Sequence, residues 1–553
     1  MKYKVLFMIM ILVAVIFADG LMLPVEENYP KDFLRNRMTR INLNINGLIA
    51  ETAIYQEFVN EWNDSTDAVF SYPLPDDAKA TRFLYWYNDQ VYEAVLKVRE
   101  QSQNPGHGES ELAELVNTYI GDNGIKIQLK GIKDGDIQRT ELHYISTMEF
   151  NNGVCSHTIP VNTADFITHP YDLLEMNVHV QSTSPITDYE ISGNPDHNVT
   201  EAGNFNLSLN LTEPKFYPNR DITFQYTISQ ESLGVDFYSV NNDTSNGHFG
   251  LFVKPPTEVA TDSLLKKKIV FLLSNSYDMY GVNLEESIAN IKNMLDKLNT
   301  GDEFNILTFS YNHAAWSSGT VPATEENITN AKNWLDGIGT SSGSNMTLGL
   351  EKSLDQFSED DFNNIILVFT GGRSLIDPLD IAGLNDHKTG IFPVGLGDDL
   401  SYAQLEMTAV ENYGFVTYIG EKDNLNEKMD HLWNRISRPV LKDIAMEIGN
   451  VSLFDMMPQK IPSYYAGSYF FTTGRYDAPA EAALAIGGQS VNGFKSYDFT
   501  LNFTPATDTC KFIEKFWAKA MIDRLEWEIE IYGENDDLKQ QLIDLSLTYN
   551  IRC

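Results

Sequence analysis

Residues able to do direct chemistry are few in this sequence. No nucleophile elbow is read in it, and His-Glu-x-x-His, Gly-x-x-x-x-Gly-Lys-Ser/Thr and Cys-x-x-Cys do not occur, so the zinc-hydrolase, phosphate-cradle and redox patterns are missing. The ten histidines are scattered without ligand spacing; His143, in a strand pattern, and His431, in a helical one, read as structural. Cys155, Cys510 and Cys553 are too few and too far apart for a disulfide scaffold or a metal ribbon, and they allow one bridge at most. The most informative stretch is 266–279, KKKIVFLLSNSYDM. Its apolar run from Ile269 to Leu273 reads as a central, buried parallel strand. That strand leads into a loop with two hydroxyls, Ser274 and Ser276, and one carboxylate, Asp278. No residue is assigned to catalysis or to a cofactor.

The elements that position this loop follow from periodicity. Residues 266 to 440 alternate strand and helix patterns, which predicts a parallel sheet with crossover helices on both faces and ligands at the carboxyl ends of its strands. Further strands are expected at Phe304–Ser310, Ile365–Thr370, Ile391–Gly395 and Phe415–Ile419. Helices are expected at Leu284–Leu298, Thr324–Leu335, Thr347–Phe357, Tyr402–Val410 and Leu425–Ile436. Upstream, period-two alternation at Arg40–Ile45, Ala53–Val59, Ala68–Tyr72, Ile125–Leu129 and Thr140–Ile145 predicts antiparallel strands. Between them, Tyr92–Val98 and Glu109–Tyr119 are helix-compatible and are separated by Pro105-Gly106. Residues 165 to 260 form a second strand-rich stretch. Downstream, 441–506 alternates again, and Lys511–Ile531 and Asp536–Leu547 read as helices, the first with Trp517, Ala518, Met521, Ile522 and Leu525 on one apolar face.

Several of these segments resemble known families. The strand and loop ending in Ser274-Asn275-Ser276-Tyr277-Asp278-Met279 resemble the first strand of a von Willebrand factor A domain, where the family has Asp-x-Ser-x-Ser-Met. Tyr72-Pro73-Leu74-Pro75, the strand Ala78–Phe83, a helix beginning near Val91-Tyr92 and the closing Pro160 resemble a vault protein/inter-alpha-trypsin (VIT) domain. The segment Gly247–Pro256 is similar to the link between these two domains in inter-alpha-trypsin heavy chains, and Phe516-Trp517-Ala518 to their ends. The resemblance implies a multidomain fold: a β-rich VIT domain with a helix at 30–165, a β-rich linker module at 166–262, and an α/β doubly wound parallel-sheet A-type domain at 263–440. A β-rich segment at 441–506 and C-terminal helices at 507–553 follow.

In A domains with an intact metal-ion-dependent adhesion site, hydroxyls and carboxylates from three loops bind one divalent cation. Hard oxygen ligands suit Mg²⁺. By that pattern Ser274 stands where the first acid is expected, Ser276 matches the first hydroxyl and Asp278 replaces the second. Ser344, within Ser341–Met346, takes the place of the family threonine, and Gly371, within Phe369-Thr370-Gly371-Gly372, replaces the second acid. Losing even an outer-shell support costs about 10- to 100-fold in metal affinity. The resemblance therefore implies a degenerate site and no cofactor. The alternative is a weak Mg²⁺ or Ca²⁺ site at Ser276, Asp278 and Ser344.

The 553 residues carry 40 basic against 77 acidic side chains, a formal charge of −37. That balance excludes a nucleic-acid partner, and the short run Lys266-Lys267-Lys268 is the one basic cluster read. Lys2 and Lys4 before the apolar run Val5–Phe17, then Ala18-Asp19-Gly20, predict a signal peptide over 1–20. No later apolar run reaches membrane-spanning length. Nine Asn-x-Ser/Thr triplets would accept glycans in a eukaryotic secretory route, and a cysteine at the final position suggests that the natural chain continues. The expectation is an exported, non-enzymatic binding or structural protein, secreted or at the cell surface, recognising a protein or extracellular-matrix ligand. The alternative is a metal-dependent adhesin using Ser276, Asp278 and Ser344.

Overall fold

The computed structural model describes residues 20–551 apart from 26–33, 76–77, 95–123, 168, 194, 242–245, 359–360, 373, 375, 398, 421–422 and 504–509. Residues 1–19 of the expected signal peptide and the helix expected at Glu109–Tyr119 lie outside the described residues.

The alternating N-terminal segments form strands as their period requires. Leu34–Asn46 and Ile49–Asn60 pair antiparallel and bury Ile41, Leu43, Ile45 and Ile54 on one face. Gly47 makes the turn between them at φ +57°, where a Cβ would lie 2.4 Å from the Tyr238 hydroxyl. Only glycine permits both that backbone angle and that approach. Tyr226 and Tyr238 donate from their hydroxyls to the carbonyls of Gly47 and Asn46, at 2.6 and 2.8 Å, and so pin the turn.

The eight-stranded sheet containing this hairpin runs in the order His197–Ala202, Asn206–Pro214, Leu173–Gln181, Leu34–Asn46, Ile49–Asn60, Ile137–Thr147, Lys79–Tyr87, Gln90–Glu93. One finding differs from the sequence reading. Gln90–Glu93 is an edge strand against Lys79–Tyr87, with Tyr92 stacked on Tyr85, so the helix expected from Tyr92 does not begin there. Residues 95–98 of that expected helix lie outside the described residues. Hydrogen bonding crosses the expected boundary at 165/166, because Leu173–Gln181 pairs parallel with Leu34–Asn46. Val154–Ile159 likewise pairs with Ile222–Ile228, and one apolar core serves both segments.

The A-type fold is inserted within a β module. Gly247–Lys254, before it, pairs antiparallel with Phe470–Tyr476, after it, and both contribute to a shared core with Ala480–Ser490 and Gly493–Phe503. Between them the sheet runs His313–Ala315, Glu303–Phe309, Lys267–Ser274, Asn363–Thr370, Gly390–Leu396, Thr417–Ile419. The last five strands are parallel, and the first is antiparallel to its neighbour. Helices Val282–Asp296, Glu325–Leu335 and Leu425–Ile436 contribute to one core, and Met346–Leu354 and Tyr402–Glu411 to the other. Helix Pro378–Leu384 and the short strands His313–Ala315 and Val321–Pro322 were not expected. Asp377 caps that helix and Pro378 opens it, a pattern readable as a helix start.

The C-terminal helices are Phe512–Tyr532 and Asp536–Tyr549. The first bridges the modules: Phe516 packs edge-on against Phe471, the Trp517 indole donates to the Asp455 carbonyl at 2.9 Å, and Arg524 is ion-paired to Glu411 of the A-type fold. Cys155 is buried and Cys510 partly so, both as free thiols; Cys553 lies outside the described residues.

Phe271 is fully buried on the central strand, so Phe271→Ala should lower unfolding free energy by about 3 to 5 kcal/mol, read as a shift in the denaturant midpoint. His157 lies between the hydroxyls of Thr52 (3.1 Å) and Ser146 (3.4 Å), where burial holds it neutral and pushes its pKa down to about 4. An unfolded chain protonates this imidazole near pH 6.5, so its stabilising contribution is complete above that pH and is lost as pH falls toward 4. The loss across that window should be about 3 kcal/mol. His157→Gln should remove that slope when denaturation is measured at pH 7 and at pH 4.5.

Candidate functional site

The central strand carries polar residues at both ends and is buried throughout. At its start Lys267 is 1% exposed, and its Nζ pairs with Asp302 Oδ2 at 2.5 Å. Asp302 also accepts from the backbone N–H groups of Lys267 and Asn299. Lys268 lies over the Phe362 ring at 4.6 Å. The short lysine run is therefore chiefly packing and ion pairing, not a basic surface.

At the other end Ser274 Oγ lies 2.6 Å from Ser276 Oγ, and Ser276 donates to Asp278 Oδ1. The loop is held to its neighbours through backbone. Asn275 N donates to Phe309 O at 2.9 Å, Ser341 N to Asn275 O at 2.7 Å, and Tyr311 N to Ser342 O at 3.0 Å. Ser374 Oγ accepts from Met346 N and donates to Ser344 O, and Asn345 caps the helix Met346–Leu354 through Leu348 N. Loops following three parallel strands thus converge, as the fold predicts.

A Cβ on Gly371 would lie 2.6 Å from Asp278 Oδ2. The Asp278 carboxylate therefore extends over Gly371. Asp278 Oδ2 and Ser344 Oγ are both buried, without a hydrogen-bond partner among the described residues. Ser276 and Asp278 are brought into contact; Ser344 stands in the same loop cluster without bonding to either. Among the described residues no three His, Cys, Asp or Glu side chains gather as a metal-binding group. The donor set is one carboxylate, already bonded on one oxygen, and serine hydroxyls. Its two orphaned oxygens are the feature that fits a small cation, and its single negative charge is the feature that does not.

Sequence reasoning missed the rim. Tyr277, Tyr280 and Tyr311 are 71, 74 and 74% exposed around these loops, and their positions just after two strands of the sheet were the available clue. It also passed over Gly339-Thr340-Ser341-Ser342-Gly343, which has the letters of a nucleophile elbow. That segment lies between helices Glu325–Leu335 and Met346–Leu354, not on the strand-to-helix turn that an elbow requires.

The family model for the vault protein inter-alpha-trypsin domain matches residues 37–144, and that for the von Willebrand factor type A domain matches 268–430. Inter-alpha-trypsin inhibitor heavy chain H2 of Mesocricetus auratus is 22% identical over 503 residues, covering 82% of this chain and 50% of the relative. Heavy chain 4 of Mus musculus is 23% identical over 562 residues, covering 92% and 58%. The chain thus spans between 50 and 58% of the length of these two curated relatives. A solved von Willebrand factor type A protein from Catenulispora acidiphila covers 57% of this chain and 90% of its own at 10% identity, with a TM-score of 0.44. The chain carries a VIT domain followed by a von Willebrand factor type A domain, and across most of its length it is similar to the inter-alpha-trypsin inhibitor heavy chains.

Proposed function

We propose that the chain is an exported, non-enzymatic recognition protein, secreted or held at the cell surface. It binds a protein or extracellular-matrix ligand through the loop face of its A-type domain without a cation in the degenerate site. The observation carrying this reading is the trio Tyr277, Tyr280 and Tyr311, exposed on loops that backbone hydrogen bonds hold in place. Tyrosine supplies large contact area at low entropic cost and is enriched among binding hot spots. Relatives that are inhibitor heavy chains support a binding role over an enzymatic one. Among the described residues no helix is long and apolar enough to cross a membrane.

A second reading, a metal-dependent adhesin using Ser276, Asp278 and Ser344, is favoured by the orphaned Asp278 Oδ2 and Ser344 Oγ. Melting with and without millimolar Mg²⁺ or Ca²⁺ separates the two. The wild type should show no shift, and a gain abolished by Asp278→Ala would establish the second reading. Restoring the family pattern requires three changes, since an acid at 371 collides with Asp278. The combined variant S274D/D278S/G371D should gain about 2.7 kcal/mol at a Mg²⁺ concentration about 100 times its dissociation constant.

Recognition itself is tested on immobilised, solubilised extracellular matrix with a chelator present. Replacing Tyr277, Tyr280 and Tyr311 by Ala together should weaken binding by about tenfold or more while leaving the melting temperature unchanged, because the side chains are exposed. Undiminished binding by the triple variant would refute the proposed surface.

A further inference from the structure

A cavity of about 190 Å³ lies between the A-type domain and the β-rich segment that follows it. Phe392, near the start of a sheet strand, and Arg435, in the last turn of helix Leu425–Ile436, contribute from one side; Lys460 and Tyr464 contribute from the other. It is thus at the opposite end of the parallel sheet from the tyrosine-rimmed loops.

Half of the lining residues are aromatic. Of the polar groups among them, the Tyr465 hydroxyl accepts from Asn363 and the Ser468 hydroxyl donates to the Tyr465 carbonyl, whereas Arg435 and Lys460 are cationic. The Arg435 guanidinium stacks over the Phe415 ring at 3.7 Å, and Lys460 Nζ lies 5.7 Å from the centre of the Tyr413 ring. Neither forms an ion pair or hydrogen bond among the described residues, in a protein with nearly twice as many acids as bases. Glu149 acts on Arg435 through space but is itself paired to His431 at 3.5 Å. Tyr464 lines the cavity and is 1% exposed, and its hydroxyl has no hydrogen-bond partner among the described residues. Desolvating a guanidinium is costly unless a counter-charge or hydrogen-bonding partner is supplied. The helix carbonyl end and the Phe415 face offset part of that cost.

We propose that this cavity is a binding site for a small planar carboxylate bearing about one aromatic ring. Arg435 and Lys460 receive the carboxylate, and the aromatic walls enclose the ring. The volume suits that size, since a cavity of about 150 Å³ accepts benzene. A concave, mostly apolar site with a few convergent polar groups at a domain junction is the usual setting for a small ligand. Guanidinium is the side chain whose planar donors match a carboxylate.

Benzoate is the probe, titrated into the full chain by calorimetry beside benzamide, its neutral isostere. Benzoate should bind with one-to-one stoichiometry, and benzamide about tenfold or more weaker, a difference of roughly 1.4 kcal/mol. R435Q should weaken benzoate about tenfold, and K460Q, a change at a partly exposed position, about threefold. An N-acetylated peptide ending in Phe offers the same ring and carboxylate. Tighter binding of it than of benzoate assigns the site to chain ends, and weaker binding assigns it to free acids. Absence of saturable benzoate binding, equal binding of benzamide, or full binding by K460Q and R435Q together would overturn the proposal. If R435Q does not fold, the benzamide comparison and K460Q decide it.

Discussion

Complete burial of the strand Lys267–Ser274 is the constraint on which the A-type domain depends. Its apolar middle packs on both faces, as a strand of an all-parallel core must. Burial of its two ends then dictates the loops. A buried lysine is tolerable only when paired, so Lys267 fixes Asp302, and Asp302 in turn orders the turn after helix Val282–Asp296 through Asn299. The buried Ser274 is satisfied by Ser276, which draws Asp278 inward across Gly371. The strand's burial therefore positions the candidate site at one end and locks a turn at the other.

A second buried pair plays a comparable part outside the A-type domain. Lys254 and Asp236 are 2.7 Å apart on paired strands, and Thr183 and Ser184 complete the lysine's bonding. These groups join the strands Gly234–Val240 and Gly247–Lys254 to the turns of the N-terminal sheets, while the other edge of Gly247–Lys254 pairs with Phe470–Tyr476. Insertion of the A-type domain is thus anchored on strands closed across the insertion. Helix Phe512–Tyr532 adds contacts to both sides through Trp517 and Arg524. The aromatic cavity beside Arg435 lies at this junction, where two independently packed surfaces meet and need not fill the space between them.

Much of this architecture is legible in the residues. Long amphipathic segments such as Leu425–Ile436 and unbroken apolar runs such as Ile365–Thr370 form where their period places them. Short or edge elements escape that reading. Tyr92 and Glu93 open a segment that reads as charged and helix-compatible, yet the pairing of Gln90–Glu93 with its neighbour and the Tyr85–Tyr92 stack override that weak preference. Strands His313–Ala315 and Val321–Pro322 are too short to display a period. Pairing partners are harder still, because a strand's sequence does not say which distant strand will satisfy its edge, as Leu173–Gln181 against Leu34–Asn46 shows.

The sequence by itself determined the residue types in the candidate site: hydroxyls at 274, 276 and 344, one acid at 278 and none at 371. It likewise determined the strands and helices that carry them, since local period suffices for both. Only the tertiary structure decided that the Asp278 carboxylate lies over Gly371, that three tyrosines surround these loops, and that Arg435 and Lys460 share an aromatic cavity. Each of those is a relation between side chains on different loops or modules, created when burial of the sheet and closure of the flanking strands bring them together.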